Sequence, residues 1–330
     1  MTTASTAPLV STPFPGNGES ALPARPADLE AVRTYLEESL APATRRAYRS
    51  GLAAFRAWCE GASVLALPAS PETVAAFLAA EADAGRAVAT LEQRAAAIRW
   101  AHEAAGQESP TAAKVVRSTM AGIRRERGSA PKRKAPATVE RLAAMVAHAD
   151  PATLKGLRDR ALLLFGFASA LRRSELAALQ VADLEETERG LLVTLRRSKT
   201  DQGGRGHTRA VLHGRKPELC PVRALAAWLE AAGVTDGRVF RSVDRHGNLG
   251  ESLSTRAVAE VVKQHARRAG LDPAEFAGHS LRAGFVTSAA ERGARAERIM
   301  DHTGHRSVAM VRVYTRRADA FADHAGEALL

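Results

Sequence analysis

A short basic segment divides this chain into two parts and limits what each part can become. Residues 124–134 read RRERGSAPKRK, in which six basic residues stand against one acidic residue, with a glycine and a proline between them. This composition is typical of a linker. It predicts an N-terminal domain at 27–128, a basic linker at 129–136 and a C-terminal domain at 137–330.

The segment before these domains, residues 1–26, is rich in Thr, Ser, Pro and Gly and shows no hydrophobic periodicity. We expect a disordered tail there. The whole chain has 330 residues, of which 45% are hydrophobic and only 5% aromatic. This length suits two domains, and a composition rich in Ala, Leu and Val favours helices over sheet.

The N-terminal domain has the hydrophobic spacing of a helical bundle. Tyr48, Leu52, Phe55 and Cys59 recur at intervals of four, three and four, which places them on one helix face. Similar patterns predict helices near 43–60, 71–85, 88–105 and 111–127. A neighbouring face of the first helix carries three arginines, Arg45, Arg49 and Arg56. They suit either contact with DNA or an ordinary solvated surface.

The C-terminal domain is predicted to be mainly helical with one small antiparallel sheet. Two alternating segments, 191–197 and 208–212, flank the stretch SKTDQGGRG and predict a β-hairpin with a long connection. A helix is expected to start after Thr138, which can serve as its N-cap. Apolar patterns predict the other helices of this domain at 157–170, 221–232, 255–270 and 280–292.

Charge and cysteine content narrow the class of protein. The formal net charge is +11 and the isoelectric point is about 10.4. Such a chain suits nucleic-acid binding, because each Lys or Arg at a phosphate releases counterions. Positive charge that only keeps the protein in solution is the alternative, and net charge alone does not exclude it. Two cysteines far apart, Cys59 and Cys220, predict a reducing compartment without disulfides. With no apolar run long enough for a membrane span and no signal peptide, we expect a cytoplasmic protein.

Residues 278–314 carry the densest group of reactive side chains. His279 and Arg282 are three residues apart at a predicted helix start and therefore share one face. His305 follows a glycine, and Tyr314 comes nine residues later among several arginines. Two histidines, an arginine and a tyrosine in a basic setting suggest chemistry on a phosphate.

Three further residues, which come earlier in the C-terminal domain, belong with this group. Arg172 precedes Glu175 by three residues at a helix N-terminal turn, and Lys199 stands at the end of the first hairpin strand. Each has an ordinary structural interpretation alone, as a capping pair or a solvated lysine. Similarly, His302 and His305 could be half of a metal site, but neither cysteine is placed to complete it, so no metal is expected.

Together these side chains suit attack on a phosphodiester. The phenol of Tyr314 must lose its proton as it attacks, and two guanidiniums suit the charge that develops on the phosphate oxygens. A mobile ammonium such as Lys199 can protonate the leaving 5′ oxygen, and the histidines can move protons or donate to the phosphate. Because protein cations supply the charge, we expect no cofactor.

The order Arg, Lys, His-x-x-Arg, Gly-His, Tyr resembles the tyrosine recombinase (phage integrase) family. The resemblance spans about residues 28–320 and is strongest at 170–205 and 278–317. It implies that Arg172, Lys199, His279, Arg282 and His305 are catalytic, with Glu175 as acidic support and Tyr314 as the nucleophile. Two positions depart from the family pattern: Ala170 replaces the usual glycine, and Thr303 stands where leucine is common.

The resemblance also implies a fold, a reaction and partners. A helical core-binding domain and a mainly helical catalytic domain would form a C-shaped clamp around double-stranded DNA. Cleavage would give a 3′-phosphotyrosyl intermediate, and a homotetramer on paired recombination sites would exchange strands through a Holliday junction, with accessory proteins as further partners and no membrane involved. The simpler Xer- or Cre-like type is favoured over the lambda-integrase type.

Two alternatives stay open at this point. A type IB topoisomerase would relax DNA by the same chemistry, and a DNA-binding protein could keep the fold without catalysis. The basic linker suits both an ordinary flexible hinge and a crossing of the DNA backbone. Its candidate DNA contacts are Arg124, Arg125, Lys132, Arg133 and Lys134. The apolar residues of the C-terminal tail, Phe321, Ala325, Leu329 and Leu330, are expected to hold protomers together or to fold back on their own domain.

Overall fold

The computed structural model describes residues 34–35, 38–128, 133–195 and 206–315. The chain divides into two compact units, 1–132 and 133–330. The mainly helical fold with a small antiparallel sheet is confirmed. No helix in the described ranges is both long and apolar enough to cross a membrane.

The N-terminal unit is a helical bundle. Its helices are α1 (Pro42–Gly61), α2 (Pro71–Asp83), α3 (Val88–Ala104) and α4 (Lys114–Arg127), with a 3₁₀ turn at Pro110–Ala112. Helix α1 packs on α3, and α2 packs on α4. The apolar stripe predicted on α1 faces the core, since Leu52, Phe55 and Cys59 are buried. Proline in the first turn of α1 and α2 suits a helix start, because the missing N–H would have no partner there.

The basic segment between the units is not one uniform linker. Helix α4 continues through Arg127 and ends at Gly128, which has a positive φ of 71°. After the undescribed residues 129–132, the chain is bonded to the C-terminal unit, where Ala135 N–H donates to the Glu275 carbonyl at 2.7 Å. Arg124 therefore belongs to a helix, as the helix predicted at 111–127 implied, although composition alone suggested a linker from residue 124 onward.

The C-terminal unit surrounds the buried helix α6. The helices that come before the sheet are α5 (Val139–Ala147), α6 (Leu154–Ala168) and α7 (Arg173–Ala178). Those that follow it are α8 (Pro221–Ala231), α9 (Thr255–Arg268), α10 (Ser280–Glu291), α11 (Ala296–Thr303) and α12 (Val308–Thr315). Helix α6 contacts α5, α8, α9 and α10. Most of its residues are buried, and this explains its nearly continuous apolar sequence.

The sheet of this unit has three antiparallel strands in the order β1-β2-β3. They span β1 (Leu184–Thr187), β2 (Gly190–Leu195) and β3 (His207–Leu212). Strands β2 and β3 form the predicted hairpin, with Leu191 opposite Val211. The connection between them, 196–205, lies outside the described residues and contains Lys199.

Three elements were missing from the sequence prediction. Strand β1 has only four residues and none of them is buried, so it shows little alternation. Helices α11 and α12 have eight residues each, too short for a clear apolar repeat. Tertiary contacts stabilise both helices, because Ile299 and Val311 are buried together against Val286 of α10. These two helices position the last histidine and the tyrosine of the candidate site.

Candidate active site

The first arginine is held at the start of α7. Arg172 is the N-cap residue of that helix, and its backbone N–H donates to Glu175 Oε2 at 2.8 Å. The Arg172 guanidinium donates to the other carboxylate oxygen at 2.7 Å. Glu175 thus caps the helix and pairs with the arginine at once, and this fixes the guanidinium at the end of α7.

The turn that leads into Arg172 has an unusual backbone. Ala170 is fully buried and has a φ of 48°, a left-handed conformation that residues with a Cβ rarely adopt. Glycine, which the family pattern has here, would adopt it without strain. The surrounding structure must therefore hold this turn in place.

The second predicted arginine supports this turn directly. Arg282, in the first turn of α10, is 2% exposed and donates through NH1 to the Ala170 carbonyl at 2.8 Å. Its NH2 lies 3.2 Å from His305 Nε2. Burial, followed by the charges of Arg172 and Arg209, lowers the pKa of Arg282 to about 10. The guanidinium is therefore still charged at neutral pH.

A third arginine beside the site is buried and was not predicted from the sequence. Arg209 on β3 is 3% exposed and donates through NH1 to the carbonyls of Ser169 and Ala170, both at 3.1 Å. Its NH2 donates to the Thr303 carbonyl at 3.0 Å. Burial lowers its pKa, an effect that the charge of Glu175 opposes. Arg209 therefore ties the hairpin to both the Ala170 turn and α11.

A signal for Arg209 was present in the sequence. Strand alternation places it on the same face as Val211, which is 1% exposed. An arginine at an inward strand position is rare unless partners are built for it. The family pattern contains other cations of this domain and does not include Arg209.

The predicted nucleophile meets the first histidine of the group. Tyr314 on α12 places its hydroxyl 2.8 Å from Nε2 of His279, the residue immediately before α10. Burial, then Arg282 and Arg172, lower the pKa of His279, so its imidazole is neutral at pH 7. A neutral imidazole nitrogen at this distance can accept the phenol proton.

The second histidine of the group follows α11. Gly304 ends that helix with a left-handed φ of 68°, which turns the chain so that His305 faces the site. The His305 and Tyr314 rings lie 6.1 Å apart. Burial and nearby cations, Arg282 first, lower the pKa of His305 to about 4. His305 is thus uncharged at neutral pH.

His302, the other half of the conceivable metal pair, has a different position. Its ring stacks on Phe285 with centroids 4.5 Å apart, and its Nε2 donates to the Ala168 carbonyl at 2.8 Å. Burial lowers its pKa. Across the described ranges, no three His, Cys, Asp or Glu side chains are grouped as metal ligands. The contacts of His302 are those of a packing residue that supports the Ala170 turn.

The structure brings six of the seven predicted site residues of the C-terminal domain together. They are Arg172, Glu175, His279, Arg282, His305 and Tyr314. Lys199 falls in the connection outside the described residues.

The candidate DNA contacts in the N-terminal unit and linker differ in their surroundings. Arg49 and Arg56 are exposed on α1, and Arg45 is half-buried. Arg124 forms an ion pair with Glu92 at 2.9 Å, while Arg125 and Arg133 are exposed. Lys134 donates to the Ala274 carbonyl at 2.6 Å within the C-terminal unit, and Lys132 lies outside the described residues.

Two family models match the chain. The model described as the phage integrase family matches residues 136–320, and the one described as the phage integrase N-terminal SAM-like domain matches 33–109. The first alone spans more than half of the chain. The chain belongs to the phage integrase family. Both halves of this integrase-family chain are thus accounted for by the family.

Individual relatives support the same family assignment. A protein described as an integrase/recombinase XerD homologue from Selenomonas ruminantium is 41% identical over 298 residues, covering 89% of this chain and 87% of the relative. The Cre recombinase of Escherichia phage P1 is 26% identical over 285 residues, or 80% of this chain and 81% of the relative. The family is therefore the tyrosine recombinases, and this integrase-family chain aligns with them over most of its length.

Solved structures share the fold. A structure described as the XerH site-specific recombinase bound to palindromic difH substrate superposes with a TM-score of 0.64 at 17% identity, covering 84% of this chain and 77% of that one. A lambda integrase dimer bound to a core site gives a TM-score of 0.52 at 16% identity, with coverages of 89% and 81%.

Proposed function

We propose that this protein is a site-specific DNA recombinase that cleaves and rejoins DNA through a 3′-phosphotyrosyl intermediate. The observation that carries the proposal is the 2.8 Å contact between the Tyr314 hydroxyl and His279 Nε2, beside the buried guanidiniums. A phenol, a neutral imidazole and fixed cations are what attack on a phosphodiester requires.

The reaction follows from these positions. Tyr314 Oη attacks the phosphorus while its proton passes to neutral His279, and the bond from phosphorus to the 5′ oxygen breaks. Arg172 and Arg282 stabilise the negative charge on the non-bridging oxygens, since guanidiniums present planar forks of cationic donors. Lys199 gives its proton to the leaving 5′ oxygen, a role proposed from the sequence. The phosphotyrosyl bond keeps the energy needed for rejoining.

Double-stranded DNA is the proposed substrate and partner. The net charge of +11 supports it, as do relatives whose structures are described as bound to a recombination substrate or core site. The N-terminal unit is proposed to contact the DNA backbone through two exposed arginines of α1, Arg49 and Arg56. Exchange between two sites would proceed in a tetramer through a Holliday junction, as the family's chemistry implies.

Substitution of the nucleophile tests the cleavage step. Tyr314→Phe removes one oxygen, so we expect normal DNA binding and complete loss of the covalent adduct on a nicked suicide substrate. Tyr48→Phe, which removes the same atom from the N-terminal unit, should still form the adduct. A protein–DNA band from the Tyr314 variant on a denaturing gel would rule out Tyr314 as the nucleophile.

Two assays separate this function from its alternatives. A covalent adduct formed by the wild-type protein would exclude a catalytically silent DNA-binding protein. Strand exchange between two labelled sites would exclude a topoisomerase of type IB, which acts at one site. Relaxation of supercoiled DNA without any exchange would instead favour the topoisomerase.

A further inference from the structure

One hydroxyl beside the site has contacts that fix a proton on its neighbour. Thr303, the last residue of α11, is fully buried, and its Oγ1 lies 2.6 Å from the Ile299 carbonyl and 2.6 Å from His305 Nδ1. A hydroxyl has one hydrogen to donate. The question is which of these two neighbours receives it.

The Ile299 carbonyl must receive the hydrogen. A carbonyl oxygen only accepts, and two oxygens 2.6 Å apart without a hydrogen between them would repel each other. The Thr303 hydroxyl therefore donates to Ile299, one turn back on α11. Its oxygen can then only accept from His305, so Nδ1 of the imidazole carries the hydrogen.

The other side of the imidazole gives the same answer independently. His305 Nε2 faces Arg282 NH2 at 3.2 Å, and a guanidinium nitrogen donates but never accepts. Nε2 must therefore be the unprotonated nitrogen. Two contacts on opposite sides of the ring thus select one neutral tautomer, with the hydrogen on Nδ1.

The charged groups around His305 favour the same state. Burial is the largest cause that lowers its pKa to about 4, and the nearby Arg282, Arg172, His279 and Arg209 side chains add to this effect. The Tyr314 ring is a further titratable neighbour, at 6.1 Å between centroids. A second proton on Nε2 would point at the Arg282 guanidinium, so the neutral tautomer persists at working pH.

We propose that Thr303 is a positioning residue: its hydroxyl holds His305 in the Nδ1–H tautomer, so that His305 Nε2 accepts from Arg282 and aims its guanidinium. Arg282 is then oriented from two sides, by His305 at NH2 and by the Ala170 carbonyl at NH1. The proposal rests on the proposed function for its consequence in catalysis. The tautomer itself does not depend on the proposed function.

This assignment changes the role expected for His305. In the Nδ1–H form, Nε2 cannot donate a hydrogen bond to a phosphate oxygen. His305 instead acts through Arg282 while the site waits for substrate. The hydroxyl is also a departure of this chain, because the family pattern commonly has leucine at this position, and leucine offers the imidazole no acceptor.

The tautomer can be measured directly in the wild-type protein. Long-range ¹⁵N–¹H spectra of histidine-labelled protein separate pyrrole-type from pyridine-type ring nitrogens, and His305→Gln identifies the His305 signals by their loss. We expect a pyrrole-type Nδ1 and a pyridine-type Nε2 for His305 at pH 7.5. A pyridine-type Nδ1 would overturn the proposal without any further variant.

Three variants test the role of the hydroxyl. Thr303→Val keeps the shape and removes the oxygen that accepts from Nδ1–H, so only Arg282 is left to select the tautomer and the His305 signals should shift toward a mixture. Thr303→Ser should restore the wild-type pattern. Ser288→Ala removes another buried hydroxyl, one bonded to the Val139 N–H on the far side of α10, and should leave the His305 signals unchanged. Unchanged signals in Thr303→Val would overturn the proposal.

Adduct formation on the nicked substrate gives the second measurement. Loss of one net hydrogen bond is worth about a tenfold change in rate, so Thr303→Val should cleave about tenfold more slowly, with Thr303→Ser close to wild type. A rate for Thr303→Val equal to that of Ser288→Ala would overturn the positioning role. If wild-type protein forms no adduct at all, the proposed function fails, and the spectra still decide the tautomer.

Discussion

Two clusters of the C-terminal unit contain the same kinds of side chain but differ in their balance of charge. The first, which we call the structural cluster, consists of Arg158, Asp159 and His265. It joins α6 to α9: Arg158 donates to Asp159 Oδ1 at 2.6 Å, and His265 Nε2 meets Asp159 Oδ2 at 3.0 Å. The second, the site cluster, consists of Arg172, Glu175, Arg209, Arg282 and His305.

Charge balance separates the two clusters. The structural cluster sets one guanidinium against one carboxylate. The site cluster places three guanidiniums near Glu175, the one carboxylate that pairs with any of them among the described residues. Backbone carbonyls, above all that of Ala170, replace the missing anions. An excess of positive charge that is buried and held in place suits a site that receives a phosphate.

The histidines of the two clusters differ for the same reason. His265 faces a carboxylate, which only accepts, so its Nε2 must carry a hydrogen. His305 faces a guanidinium, which only donates, so Nε2 of His305 must be unprotonated. Identical side chains at similar depth therefore differ at Nε2, which carries a hydrogen in His265 and none in His305. The partner decides the chemistry of the imidazole, and burial by itself does not.

The clearest way to break the comparison is to unbalance the structural cluster. Asp159→Asn leaves the buried Arg158 without its carboxylate, so we expect the free energy of unfolding to fall by about 3–5 kcal/mol. Urea unfolding measures it, and the variant should still form the covalent adduct well below its melting temperature. Glu260→Gln, in an exposed pair on α9, should change stability by less than about 1 kcal/mol. Equal small losses in both variants would contradict the distinction.

The opposite outcome is expected in the site cluster. Arg172→Ala removes one clamp on the developing charge, so the cleavage rate should fall about 10²–10³-fold, or about 3–4 kcal/mol of barrier. The free energy of unfolding should change by only about 1 kcal/mol, because removal of Arg172 also removes its repulsion with the two other cations. Arg223→Ala, at an exposed position on α8, is the control for rate. A large stability loss with little change in rate would place Arg172 in the same class as Arg158.

Acid titration sharpens the contrast between the clusters. His305 has a pKa of about 4 in the folded protein against about 6.5 when unfolded. Above pH 6.5 both states are neutral, and as the pH falls toward 4 only the unfolded state gains the proton. The wild-type protein should therefore lose up to about 3 kcal/mol of stability between pH 6.5 and 4 from this group. Urea unfolding across that range should show a smaller loss for His305→Gln, and parallel curves would disprove the linkage.

The smallest expected effect concerns the turn that the site cluster clamps. Ala170→Gly relieves a left-handed backbone at some entropic cost, so the free energy of unfolding should rise by about 0.5–1 kcal/mol. Ala168→Gly, the same change at the last residue of α6, should instead lower it by up to about 1 kcal/mol. Thermal unfolding of both variants checks the signs. Destabilisation by Ala170→Gly would mean that the turn is not strained.

Much of the molecule could be predicted from local sequence patterns. The apolar periods of α1 and α9 and the alternation of β2 and β3 predicted these elements to within a few residues, because each buries one continuous face. The order of reactive residues, from Arg172 to Tyr314, predicted which side chains would share a site. Strand β1 and helices α11 and α12 could not be predicted, since they are short and depend on contacts made elsewhere in the chain.

The sequence by itself determined the residue types of the site, the two-part helical organisation and the basic character of the chain. Only the tertiary structure decided the protonation and orientation of those residues. Arg209 becomes part of the site because β3 folds beneath Ala170 and Thr303, residues about 40 and 94 positions away. His305 is neutral because it is buried and because Arg282 and other cations lie close to it. Such effects depend on distances of a few ångströms between remote parts of the chain, which no local pattern in the sequence records.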